Sequence, residues 1–256
     1  MSTEYQSLDS VLKPVTLLLK GDSGTGKTYK AAQFPDPVFF NFDNNLSGLR
    51  KLPTEVRSKI RVKDPRLDKN GKQVKDVEIW PNFVSQLEEV GADSSVGTIV
   101  LDSLTTMAEV LMDKILKTSD PAARVEIQHW GDLWRYFKWL GEELLCATDL
   151  DKHVIWIAHE QMKEFVDAKG VSIRSPKYFL MLGGKAKEGL DLFFTDVWRA
   201  YTKKQTTMPY GVEYWIRSLP DEYHTAKTSL TLPPDFKWDD QKASILKQLH
   251  EGLPGK

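Results

Sequence analysis

Four stretches of the chain hold side chains that could do chemistry. The first, GDSGTGKT, places Gly21, Gly26, Lys27 and Thr28 in the spacing G-x-x-x-x-G-K-[ST]. Glycines let a backbone wrap a phosphate with its N–H groups turned inward. A helix that begins there adds the positive end of its dipole. The lysine of such a loop reaches the β- and γ-phosphates, and its hydroxyl residue holds Mg²⁺. Gly21, Asp22, Ser23, Gly24, Thr25, Gly26, Lys27 and Thr28 are therefore the expected cradle for a nucleoside triphosphate.

The second stretch, TIVLDSLT, is an apolar run that ends in Asp102, a carboxylate placed to hold the metal with Thr28. Its plainer role would be to cap the helix that follows. The third, FFNFDNN, ends another apolar run in Asp43, which could orient an attacking water or form a simple Asx-turn. The fourth, VIWIAH, brings His159 to the end of a strand, either as a sensor of the γ-phosphate or as a surface histidine. Lys27, Asp43, Asp102 and His159 form the expected catalytic set, with Thr28 and Asp102 at the metal.

The elements that must position these groups are readable from hydrophobic runs. VTLLL (15–19), VFFNF (38–42), TIVLD (98–102) and HVIWIAH (153–159) read as buried strands. A helix is expected from Lys27 to Gln33, stopped by FPDP. Residues 61–80, with KNGK as a turn signal, read as a two-stranded excursion. Helices are expected at 82–90, after Asp102, and over 125–147. In the last of these, Trp130, Leu133, Trp134, Phe137, Leu140, Leu144 and Leu145 form the buried stripe. Residues 160–189 lack clear periodicity and read as a mobile loop. DVWRAYT and GVEYWIRSL read as a late hairpin, and 239–250 as a closing helix capped by Asp239 or Asp240. Apolar strands alternating with helices predict an α/β fold, a mostly parallel sheet covered on both faces. Residues 1–13 are expected to be a flexible arm and 14–256 a single domain.

Composition narrows the classes. The chain has 256 residues, with Lys+Arg 35 against Asp+Glu 36, so any nucleic-acid contact must rest on a local basic patch. The single cysteine, Cys146, excludes an intrachain disulfide and a cysteine-rich zinc site. No apolar run approaches the roughly 18 residues of a membrane helix, and a cytoplasmic location without membrane contact is expected.

Taken together, FFNFDNN, LDSLT and AHE resemble the core of RecA-like P-loop ATPases, and the layout of about residues 12–235 is similar to single-domain, phage-encoded, RecA-like single-strand annealing proteins. The resemblance implies a RecA-like P-loop NTPase fold, ATP and Mg²⁺ as cofactors, and action on single-stranded DNA in recombination or annealing. It also implies a homo-oligomer, ring or filament, and a single-strand binding protein as a partner. A P-loop nucleotide or small-molecule kinase is the alternative. The family carries Glu where this chain has Asp43, which shortens the reach by one methylene and suggests slow hydrolysis. The loop after His159 would then meet DNA through Lys169, Arg174 and Lys177, with Phe165, Tyr178 and Phe179 interleaved. Lys185, Lys187, Arg199 and Lys227 are candidates to complete a neighbouring subunit's site.

Overall fold

The computed structural model describes residues 14–144, 150–166, 172–205 and 211–251. The proposed N-terminal arm, Leu145, Cys146 and Lys169 lie outside these residues. In chain order the elements are β1 (Thr16–Gly21), α1 (Lys27–Ala31), β2 (Pro37–Asn41), a 3-10 turn (Ser47–Lys51), α2 (Thr54–Arg57), β3 (Arg61–Lys63), α3 (Asp76–Ala92), β4 (Thr98–Asp102) and α4 (Leu104–Leu116). They continue with α5 (Ile127–Leu144), β5 (His153–Val166), β6 (Ser172–Leu180), α6 (Ala186–Gly189), a 3-10 turn (Leu190–Phe193), β7 (Asp196–Lys204), β8 (Val212–Arg217), β9 (Asp235–Lys237) and α7 (Trp238–Glu251).

The main sheet runs β3-β2-β4-β5-β1-β7-β8-β9, and β6 pairs with β5 alone. The pairs from β3 through β1 to β7 are parallel, whereas β7-β8 and β8-β9 are antiparallel. This is the expected mostly parallel sheet with a late antiparallel hairpin. The strand after Asp102, β5, lies between the Asp102 strand and the phosphate-loop strand. Parallel strands covered on both faces need apolar residues at successive positions, and β1, β2 and β4 are buried throughout. One face packs Leu18, Phe40, Leu101 and Trp156 against α3, α4 and α5, through Phe83, Met107 and Phe137. The other packs Leu17, Leu19, Phe39 and Trp198 with Ala31, Ile245 and Leu249 of α1 and α7.

Five details depart from expectation. The first helix ends at Ala31, two residues early, ahead of Pro35 and Pro37. Only part of 61–80 is extended: β3 joins the sheet edge beside β2, and a single antiparallel bridge links Leu67 and Gln73. Residues 64–75 are otherwise turns and irregular backbone, and 76–80 are already helical, because Ile79, Trp80 and Phe83 bury one face of α3, and Pro81 near its start forfeits little. On α5, Trp130 lies at the surface against the backbone of Gly183, not in the core. Asp239 and Asp240 fall inside the first turn of α7, where their charge meets the helix dipole without capping.

The fifth departure matters most. Residues 160–166 and 172–180 are paired strands, not a mobile loop. Strand β5 runs on past His159 to Val166 and returns as β6, with Gln161 opposite Phe179 and Lys163 opposite Lys177. Sequence periodicity failed here because this ribbon leaves the sheet, so neither face shows a continuous apolar stripe. Its root is buried: Glu160 takes Arg199 Nε at 2.9 Å and lies 3.2 Å from Lys20 Nζ, a charge contact off the hydrogen-bond direction.

Candidate functional site

The phosphate loop follows β1 directly. Gly24 and Gly26 adopt φ of 76° and 77°, a region that L side chains enter only with strain. A Cβ at Gly24 would meet nothing within 4 Å, so the loop backbone there faces open space. That space is a cavity of about 640 Å³ lined by the loop from Ser23 to Thr28, by Asp43, Asp102 and His159, and by Tyr214, Trp238 and Asp239. Gly21 has a different reason to be glycine: a Cβ on it would stand 2.1 Å from the carbonyl oxygen of Ala200 in β7.

Three strand ends deliver the remaining groups. Parallel pairing sets Asn41 beside Asp102 and Asp102 beside Ile157, so the carboxyl ends of β2, β4 and β5 open on the same edge. Thr28 Oγ1 donates to Asp102 Oδ2 at 2.7 Å. Lys27 Nζ donates to the carbonyls of Gly21 and Asp22, each at 2.8 Å, and lies 3.4 Å from His159 Nδ1. An ammonium has only donors, so Nδ1 can accept from it only in the neutral ring that carries its proton on Nε2. That nitrogen faces Asp43 Oδ2 at 4.0 Å. The expected catalytic set of Lys27, Asp43, Asp102 and His159 is therefore brought together, with Thr28.

Sequence reading missed the partners that fix Asp43. Its Oδ1 accepts from Ser103 Oγ at 2.8 Å and from Thr106 Oγ1 at 2.5 Å, with the Ser103 N–H at 3.3 Å. Both partners sit in LDSLTT beside Asp102, so the signal was adjacent, but only pairing of β2 with β4 brings them to Asp43. Burial alone would raise the Asp43 pKa; the neighbouring imidazole, Thr106 and Ser103 outweigh it and hold the carboxyl at about 2. Burial pushes Asp102 the other way, up to about 6, against the pull of Thr28. Burial also brings Lys27 down to about 8, opposed by Asp102, Asp22, Glu160 and Asp43. Lys30, hidden beneath Tyr214 and donating to Thr25 O at 2.7 Å, is drawn down to about 7 by burial and by Lys27.

A buried carboxylate whose one hydrogen-bond donor is a threonine hydroxyl fits a divalent cation, which would supply the missing positive charge. Of the other expected residues, Arg199 is tied within its own chain: its guanidinium donates to Glu160, lies over the Tyr178 ring at 4.6 Å and reaches Asp22 at 4.0 Å. Lys185 and Lys227 are exposed, and Lys187 lies beside Glu188. Lys177 is exposed on β6; the Arg174 side chain lies outside the described set.

The family model for the AAA domain matches residues 13–230. The chain belongs to the AAA domain family. No curated protein sequence matches it. Among solved structures, this AAA domain is similar to a KaiC-like protein of the hyperthermophilic archaeon Pyrococcus horikoshii OT3, at 16% identity and a TM-score of 0.42, over 86% of this chain and 89% of that one. It is also similar to the flagellar accessory protein FlaH of Methanocaldococcus jannaschii, at 13% identity and a TM-score of 0.40, over 89% and 88% of the two chains. The described residues form a P-loop ATPase-type fold, in which strands β8 and β9 and helix α7 follow β7. Among the described residues no helix is long and apolar enough to cross a membrane.

Proposed function

We propose that this AAA domain binds ATP with Mg²⁺, hydrolyses it, and couples the cycle to single-stranded DNA held on the β5–β6 ribbon. One observation carries the nucleotide half: Lys27, Thr28, Asp102, Asp43 and His159 converge in one cavity from four separate segments. Thr28 and Asp102 would hold the magnesium ion, which supplies positive charge to the phosphate oxygens. Lys27 neutralises charge on the β- and γ-phosphates. Asp43 orients the attacking water. A carboxylate with a pKa of about 2 is a weak proton acceptor, so its part is orientation through Oδ2, the oxygen that Ser103 and Thr106 leave free. His159 touches both Lys27 and Asp43, so movement of either registers on one imidazole. A carboxylate held beside the phosphate loop by Ser103 and Thr106 supports hydrolysis over a kinase reaction.

The DNA half is supported by the ribbon. Strand alternation puts Gln161, Lys163 and Phe165 on one face with Lys177 and Phe179, and the two phenylalanine rings meet edge to face at 6.3 Å. Two exposed lysines directly opposite each other repel, and a phosphodiester between them removes that repulsion. Flanking aromatic rings offer stacking surfaces for bases. Recombination or annealing, assembly into a homo-oligomer, a single-strand binding partner and a phage source rest on the resemblance of the motifs. ATP turnover by purified protein, with and without single-stranded DNA and with Lys27→Ala as control, tests the proposal. DNA-stimulated release of phosphate to water is expected. Transfer of phosphate to an added acceptor would point to a kinase, and absence of DNA binding in every nucleotide condition would remove the DNA half.

A further inference from the structure

The excursion between β3 and α3 has no role in the site described so far, yet it grips the strand that presents Asp43. Arg66 donates from Nη2 to the carbonyl of Asn41 at 2.7 Å and from Nη1 to that of Phe42 at 3.0 Å. These are the two peptides immediately before Asp43. The guanidinium is itself fixed, because Nε and the backbone N–H of Arg66 both donate to Asp64 Oδ1 at 2.9 Å. The excursion is anchored in turn by α3: Asn82 donates to Pro65 O and Leu67 O, and Gln86 to Leu67 O. On its other side the end of β2 is held by β4, where the carbonyl of Asp102 takes the N–H of Phe42 at 2.7 Å and of Asp43 at 3.3 Å.

Resting on the hydrolytic reading above, we propose that Arg66 is a positioning residue for hydrolysis, setting the location of the Asp43 carboxylate through the backbone of residues 41 and 42. An aspartate has two side-chain torsions and a short reach, so its oxygens go where its Cα is put. A glutamate at the same place could correct a backbone displacement with its extra torsion. The planar fork of arginine suits two successive carbonyls, whereas an ammonium on a flexible stem meets one at a time. Misplacement of a water-orienting group by about 1 Å costs on the order of a hundredfold in rate without affecting substrate binding.

The test uses the full chain with Arg66→Ala, Arg66→Lys and Asp43→Asn, singly and with Arg66→Ala combined with Asp43→Asn. The expected result is a fall in kcat of at least about tenfold for Arg66→Ala, with KM for ATP within about twofold, partial recovery in Arg66→Lys, and no further loss when Arg66→Ala is added to Asp43→Asn. A parallel change in KM and kcat, an unchanged kcat, or an additive loss in the double variant would overturn it. Site-resolved hydrogen exchange gives a readout independent of turnover. The amides of Phe42 and Asp43 should lose protection in Arg66→Ala while those of β1 keep theirs, and equal protection at both places would also overturn it. Wild-type protein that releases no phosphate would count against the hydrolytic reading, and the exchange measurement still decides whether Arg66 fixes the Asp43 backbone.

Discussion

Replacing Asp102 by asparagine should make the metal-free protein gain stability on wild type as pH rises toward neutral, while removing its function. Asp102 is 4% exposed, and its one hydrogen-bond donor is Thr28 Oγ1. Burial raises its carboxyl from the ordinary 3.8 to about 6. The folded state therefore binds a proton more tightly than the unfolded state between those two values. Stability contributed by the neutral acid is fully present below about pH 4 and is lost as pH rises through about 6. A displacement of about two pH units corresponds to roughly 3 kcal/mol. Asparagine is neutral at every pH and keeps an oxygen for Thr28, though its amide hydrogens lack an acceptor there. That offset does not change with pH, so it cancels when the stability difference is compared across pH. The assay is urea unfolding of wild type and Asp102→Asn in chelator, from pH 4 to pH 7.5. The variant should gain about 2 kcal/mol relative to wild type over that range. A flat difference, or one that falls with pH, would refute the placement of Asp102 as a buried, unneutralised carboxylate. Adding Mg²⁺ and ATP at pH 7.5 should then stabilise wild type far more than the variant; equal stabilisation would remove Asp102 from the metal site.

Three further outcomes are expected. Asp43→Asn should lower turnover by about a hundredfold or more while leaving the ATP-induced rise in Tm intact, because Ser103 and Thr106 can still hold the amide oxygen but the charge that orients water is gone. Lys163→Ala with Lys177→Ala should weaken single-strand binding and flatten the slope of log K against log salt by about 1.4, the amount expected for two phosphate contacts. Phe83→Ala should cost about 3–5 kcal/mol in urea unfolding, since the ring is fully buried and meets Phe40, Phe42 and Trp80 at centroid distances of 5.1, 5.1 and 5.3 Å.

Some of this protein is written in contiguous residues. GDSGTGKT specifies its own shape, because the positive φ of Gly24 and Gly26 and the reach of Lys27 back to Gly21 and Asp22 are local. The apolar runs ending in Asp43, Asp102 and His159 name the strands, since a strand buried on both faces must be apolar at every position. What a linear pattern cannot state is which strand lies beside which. Pairing of β5 between β4 and β1 is what sets His159 against Lys27, and pairing of β2 with β4 is what gives Asp43 to Ser103 and Thr106. The ribbon beyond His159 was illegible for a related reason: hydrogen bonds between its two strands hold it, and these leave no mark on side-chain periodicity. Arg199 and Arg66 make the same point for charge. In the sequence each is a cation among others; in the fold one is tied to the buried Glu160 and the other to the carbonyls before Asp43, because only tertiary contact decides whether a charge meets water or a partner.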